Sequence, residues 1–350
     1  RDPSKRKRLR ALVTGGAGFL GGAIVRRLLE RGDAVRSFSR GPHPELAALG
    51  VEALRGDVAD AEAVVRAAAD CDVVFHVAAR VGGWGPRAEY RRTNVLGTEN
   101  VIRACRRQGV TRLVHTSTPS VVHTGGDIEA GDESLPYADH FDAAYPETKA
   151  EAERRVLAAN GDGLSTVALR PHLVWGPGDN QLIPRLLDRA RKGRLWLVGG
   201  GDRLVDATYV DNAAQAHLLA ADRLSAEARC AGRAYFLAQG EPTPARELIN
   251  GVLAAAGLPA VTRRMPARLA WLAGGLAELV WWTLRRKGEP PITRFAASQL
   301  ATAHWYDLSA ARRDLGYAPE VTTAEGLRRL QQHFTESGIP TAQPSPLRNA

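Results

Sequence analysis

The apolar run at residues 9 to 14, LRALVT, stops at glycine and gives way to Gly15, Gly18 and Gly21, which open onto helical spacing through Phe19, Ala23, Leu28 and Leu29. A strand, a glycine turn and a helix in that order leave few folds available. Glycine allows the tight turn, the close approach of backbone to a bound group, and close packing of helix on strand. The free N–H groups of the helix start suit a pyrophosphate. The rhythm then repeats, with apolar runs at 34 to 38, 51 to 54, 72 to 77 and 111 to 116 separated by helical stretches at 60 to 69 and 89 to 108. A further helix at 143 to 159 leads into a strand at 165 to 170. Strands alternating with helices predict an α/β fold, a Rossmann-type doubly wound parallel sheet covered on both faces.

Past residue 175 the rhythm loosens and prolines become frequent, which predicts a smaller C-terminal substrate-capping region. The division expected is a basic arm at 1–8, a dinucleotide-binding domain at 9–175 that carries the catalytic residues, a cap at 176–336 with some segments returning to the core, and a polar tail at 337–350. The net charge of +9 is concentrated at the start, where the first ten residues hold six basic side chains and one acid. A short charged terminus reads most simply as solvated. No aromatic-interleaved basic motif points to nucleic acid. Cys71, Cys105 and Cys230 lack CxxC spacing and are expected as reduced thiols. With no apolar stretch behind the basic residues, the start does not read as a signal peptide, and a cytoplasmic protein is expected.

Within the first turn Gly15, Gly18, Phe19, Leu20 and Gly21 are the candidates for the coenzyme pyrophosphate. A site selective for NAD usually ends its second strand in an acid that accepts from the ribose 2′-hydroxyl. Here that strand ends in Ser37-Phe38-Ser39-Arg40, and no Asp or Glu occurs between Asp33 and Glu45. Ser39 and Arg40 therefore predict a 2′-phosphate site and a preference for NADP(H), with NAD(H) left open.

Tyr145 and Lys149 stand four apart on a predicted helix and project from one face. An ammonium beside a phenol favours the phenolate, so Lys149 is expected to lower the Tyr145 pKa into a usable range. YxxxK alone is common by chance. With TGGAGFLG it is accompanied by GDV at 56 to 58, HVAA at 76 to 79, TNVLGTENV at 93 to 101, HTSTPSV at 115 to 121 and RPHLVWGPGD at 170 to 179. In these motifs the sequence resembles the extended short-chain dehydrogenase/reductase family, in its 3β-hydroxysteroid dehydrogenase branch, across nearly the whole chain. The resemblance implies that Asp57 and Val58 flank the adenine, Ala78 and Ala79 the phosphoribose, and Pro171, Leu173 and Val174 the nicotinamide end. Tyr145 and Lys149 would be catalytic and also touch coenzyme. The third catalytic hydroxyl, usually serine, falls to Thr118, with Ser117 before it as a coenzyme contact. Adjacent strand residues face opposite ways, so only one of the two should face the cleft.

Two activities of that branch fit different segments. AARVGGWGPRAEYRRTNVLGT resembles reductases of 2-alkyl-3-oxoalkanoic acids in long-chain olefin synthesis, whereas GDESLPYADHFDAAYPETKAEAERRVLAAN resembles sterol-4-carboxylate 3-dehydrogenases. Both handle an oxygen β to a carboxylate on a large apolar molecule. NADPH-dependent reduction of the β-keto acid is the leading expectation. 3β-Hydroxysteroid or sterol oxidation, sugar nucleotide epimerisation and a non-catalytic NADP-binding role remain rivals. Trp84, Asn94 and His172 are candidates for the substrate site, and Arg294 for its carboxylate. No histidine pairs with Cys, Asp or Glu at ligand spacing, so no metal is expected. A homodimer is left open.

One segment stands apart. LAWLAGGLAELVWWTL at 269–284 has Glu278 as its only charge, apolar residues around most of its circumference, and Gly274-Gly275 expected to weaken or bend it. At ~1.5 Å per residue it is too short for a ~30 Å hydrocarbon core. It is either a buried helix of the cap or a lid offering its outer face to a membrane surface or a partner enzyme of the same pathway, with Trp281 and Trp282 at that boundary.

Overall fold

The computed structural model describes residues 8–338, so the basic arm up to residue 7 and the tail from residue 339 lie outside the described residues. Seven parallel strands form the main sheet: β1 (Arg10–Thr14), β2 (Ala34–Ser39), β3 (Glu52–Arg55), β4 (Val73–His76), β5 (Arg112–Thr116), β6 (Ser165–Pro171) and β7 (Arg233–Leu237). Their order is β7-β6-β5-β4-β1-β2-β3. The chain runs outward from β1 through β2 to β3, crosses back to β4, and leaves a crevice above the carboxyl ends of β1 and β4, where ligands of such sheets bind.

Side-chain alternation along the strands separates two apolar layers. Ala11, Val13, Phe75 and Val114 enter one, with α1 (Phe19–Glu30) and the helix Val210–Arg223. Leu12, Val74 and Leu113 enter the other, with α2 (Ala61–Ala67) and α3 (Gly97–Gln108). Such strands are buried on both faces and so read as continuous apolar runs. α4 (Ala144–Ala158) carries Tyr145 and Lys149 alongside β6. The helix expected at 89 to 108 begins at Arg87 and contains a π-helical turn, Arg91–Leu96, before α3.

The region after 175 is divided. The helix Val210–Arg223 and β7 belong to the core, and so does the closing helix Thr323–Glu336, which buries Leu330 and Phe334. The cap holds a small sheet of Thr243–Pro244, Leu204–Val205, His304–Tyr306 and Ile128–Gly131. Two of its helices, α5 (Ala267–Thr283) and α6 (Arg294–Ala301), pack together.

Candidate active site

The first turn shows why its glycines cannot be replaced. Gly15 sits at φ +71°, and a Cβ there would meet the Ala78 Cα at 3.0 Å. A Cβ at Gly21 would fall 2.1 Å from the Gly15 carbonyl oxygen. The loop is pinned by Gly15 N–H to the Phe38 carbonyl and Gly18 N–H to the Gly15 carbonyl. Phe19 and Leu20, the first residues of α1, pack partly buried against the core. Helix α1 has no side-chain cap, so its first N–H groups are offered to a ligand. A dinucleotide pyrophosphate fits this cradle.

The adenosine end fits equally. Ser39 Oγ is buried without a hydrogen-bond partner among the described residues, a state that costs free energy unless a ligand supplies the partner. Arg40 is exposed beside it, and its carbonyl accepts from Arg55 Nε at 3.0 Å. Arg55 was not a sequence candidate; it lies sixteen residues beyond Ser39 in a neighbouring strand, its register partner. Asp57 accepts from Ala59 N–H and pairs with Arg92 at 2.7 Å. Its pKa lies below the ordinary value because the Ala59 N–H and Arg92 outweigh partial burial, with Arg40 adding to the effect. Val58 is buried under Gly97. Ala78 N–H donates to Thr14 Oγ1, and Ala79 follows half-buried at the crevice.

At the reacting end burial raises the Tyr145 phenol pKa to about 12, against a downward pull from the neighbouring Thr118 hydroxyl, which itself donates to Ser120 Oγ at 3.2 Å. Tyr90 adds a smaller upward push. Ser117 is buried on the side of Glu153, and its hydroxyl makes no hydrogen bond among the described residues. Lys149 departs from expectation. Its Nζ donates to the Thr116 carbonyl at 2.6 Å and lies 3.2 Å from His115 Nε2. The Tyr145 pKa is thus raised, not lowered, because burial of the phenolate dominates. Burial also brings Lys149 down from 10.5 to about 8, against an upward pull from Glu153. Glu153 is fully buried and receives Arg170 at 2.6 Å and Tyr137 at 2.7 Å. His115 escaped sequence reasoning because it reaches Lys149 from β5, and Glu153, four residues beyond Lys149 on α4, because its buried cation Arg170 comes from β6.

The segment after β6 is held from below. The Thr208 hydroxyl lies within hydrogen-bonding reach of the His172 and Leu237 carbonyls, and Leu173 takes φ +41°, a strained conformation for a branched residue that persists only where its surroundings impose it. Pro171 is buried and Val174 half-buried.

Three substrate candidates already have partners within the protein. Asn94 is buried with both ends of its amide engaged: Oδ1 accepts from Arg80 N–H at 2.7 Å, and Nδ2 donates to the Arg80 carbonyl and Thr148 Oγ1. It braces the loop after β4 against α4. His172 Nδ1 is bonded to the Asp206 carbonyl at 2.7 Å, and the ring lies in a buried cluster with His304 and Tyr306. Arg294 is paired with Glu278 at 2.7 Å and lies over the Trp271 ring, so its charge is already matched. Trp84 is half-buried in the loop whose carbonyls the Tyr90 hydroxyl gathers.

Residues 12–266 match the 3-beta hydroxysteroid dehydrogenase/isomerase family. The chain belongs to that family. It is accordingly an oxidoreductase that interconverts hydroxyl and carbonyl groups with a nicotinamide coenzyme. Among its relatives is a 2-alkyl-3-oxoalkanoate reductase of Stenotrophomonas maltophilia, 54% identical over 325 residues, 92% of this chain and 98% of that protein. A mouse sterol-4-alpha-carboxylate 3-dehydrogenase, decarboxylating, is 36% identical across 95% of this chain and 92% of its own length. In architecture the chain resembles a Bacillus cereus UDP-glucuronic acid 4-epimerase in complex with NAD, with a TM-score of 0.72, covering 94% of this chain and 99% of that one at 22% identity. At that identity the likeness concerns the fold alone.

Proposed function

We propose that this protein uses NADPH to reduce a 2-alkyl-3-oxoalkanoic acid to the 3-hydroxy acid, a step of long-chain olefin synthesis. The supporting observation is the Tyr145 phenol with the Thr118 hydroxyl as its neighbour beside a dinucleotide cradle, in a chain 54% identical to a reductase of that name. The bound coenzyme supplies the hydride.

The side chains supply the rest. Burial keeps the Tyr145 phenol protonated at neutral pH, so it acts as a proton donor to the C3 oxygen as negative charge develops there, the role that reduction requires. Thr118 donates a second hydrogen bond to the same oxygen, where such a bond counts most. Lys149 has three N–H donors. Two are taken by the Thr116 carbonyl and His115, which fixes its stem and leaves the third for a ribose hydroxyl. Ser39 and the paired Arg40 and Arg55 favour a 2′-phosphate, with the unpartnered Ser39 hydroxyl as the strongest support.

The test is coenzyme turnover by the purified protein with a 2-alkyl-3-oxo acid, a 4-carboxysterol and a UDP-sugar, each with both coenzymes. The proposal expects oxidation of NADPH with the oxo acid and a lower kcat/KM with NADH. Turnover confined to the sterol would assign the chain to the oxidative branch, and an equal or better kcat/KM with NADH would remove the coenzyme assignment.

A further inference from the structure

Among the described elements, helix α5 is the one whose apolar residues the fold leaves largely uncovered. Of its seventeen residues only Ala270 and Gly274 are buried. The glycines do not bend it: the helix is continuous, and Gly274 lets it approach α6, since a Cβ there would lie 2.8 Å from the Arg294 nitrogen. Trp281 is turned inward on that same side, with its Nε1 buried and Arg286 over its ring. The opposite face presents Leu269, Leu272, Leu276, Leu279 and Trp282, three or four residues apart, with Leu276 64% and Trp282 73% exposed. Five large apolar side chains aligned on one helix face exceed what a soluble surface ordinarily scatters.

The charges around this face are of one sign. Arg268 stands at its start and Arg285, Arg286 and Lys287 just past its end, all exposed. The helix's one acid, Glu278, is turned away and matched by Arg294. Beside the helix start, the strand pair Leu197–Val198 and Arg264–Met265 adds an exposed tryptophan, Trp196, with Arg263 over its ring. Leucines flanked by tryptophan and closed at both ends by basic residues match a helix lying in a bilayer interface, with its apolar face among acyl chains and its cations on anionic headgroups. No described helix is long and apolar enough to cross a membrane.

We propose that this face of α5 docks the protein onto an anionic lipid surface, with the helix parallel to the membrane plane. The inference stands on exposure and charge and does not depend on which oxo acid is reduced. Docking there would place the cap against the phase in which a long-chain apolar acid resides.

Flotation of the full-length protein with phosphatidylcholine vesicles, with and without phosphatidylglycerol, tests it. Binding is expected to the mixed vesicles, weakened by salt, and at least about ten-fold weaker without the anionic lipid, as three or four cations near such a surface imply. Leu272→Ser/Leu276→Ser/Trp282→Ser should lose flotation with unchanged Tm and unchanged turnover of a short-chain substrate, because these side chains are solvent-facing. Arg285→Glu/Arg286→Glu/Lys287→Glu should lose the preference for anionic lipid. Absence of flotation by the wild type, or flotation that survives the triple Ser variant, overturns the proposal. So does a dimer in sedimentation that the Ser variant disperses, which would make the face a protein contact.

Discussion

Lys149→Met should make the protein more stable while removing its activity. Lys149 is 3% exposed, and its pKa falls from 10.5 to about 8. At about 1.4 kcal/mol per pH unit, keeping the ammonium charged in the fold costs ~3 kcal/mol relative to a neutral side chain. Methionine has nearly the same length and fills the space. Against this gain stand the lost bonds to Thr116 and His115, about 1 kcal/mol each. The net is a stabilisation of ~1 kcal/mol. With ~2.1 cal/mol/K of unfolding entropy per residue, each kcal/mol shifts Tm by ~1.4 °C in a 350-residue chain. The sign with pH follows from proton counting. Between about 8 and 10.5 the unfolded chain binds the proton that the folded chain has released, so wild-type stability from this group rises with pH across that window. The advantage of the Met variant should therefore be present at pH 7 and reverse by pH 10. Scanning calorimetry at several pH values measures it. A variant less stable at pH 7 with a pH-independent difference would refute a charged, desolvated Lys149.

Tyr145→Phe should cut kcat by at least about a hundred-fold, the scale of a lost general acid, and leave the coenzyme Kd within about two-fold; a burst of product in single-turnover kinetics would contradict this. Arg40→Ala, alone and with Arg55→Ala, should weaken NADPH binding by about ten-fold or more while NADH binding changes little, as removal of a charge-assisted bond implies; titration by fluorescence reads the ratio. Asn94→Ala should lower stability by about 2–3 kcal/mol, since Arg80 and Thr148 lose buried partners, in urea unfolding. Gly274→Val should unseat α5 from α6, because its side chain would occupy the position of the Arg294 backbone, and protease cleavage within 267–283 should accelerate.

Where one side chain's neighbours in sequence are also its neighbours in space, the sequence was informative. Strands β1 to β6 stand within one or two residues of the runs read from the sequence, and in β1, β4, β5 and β6 this is because a buried parallel strand is a continuous apolar segment, whereas the edge strand β3 is mostly exposed. β7, RAYFL, carries Arg233 and Tyr235 and follows an irregular stretch, so periodicity did not single it out. Partners from distant segments were not legible there: Asn94 is absorbed by Arg80 and Thr148, Arg294 by Glu278, and Lys149 by the carbonyl end of β5. Glu278 in particular looked like a lone charge in an apolar run, and only the packing of α5 on α6 supplies its cation. The same packing settles the two tryptophans, turning Trp281 inward and leaving Trp282 outside.

The most direct test of the account is isotope transfer. Incubated with a 2-alkyl-3-oxo acid and NADPH deuterated at C4 of the nicotinamide, the protein should yield a 3-hydroxy acid that retains its carboxylate and carries one deuterium at C3 by mass spectrometry, and Tyr145→Phe should abolish its formation. A product without deuterium at C3, or label exchange only with a 4-carboxysterol, would contradict it.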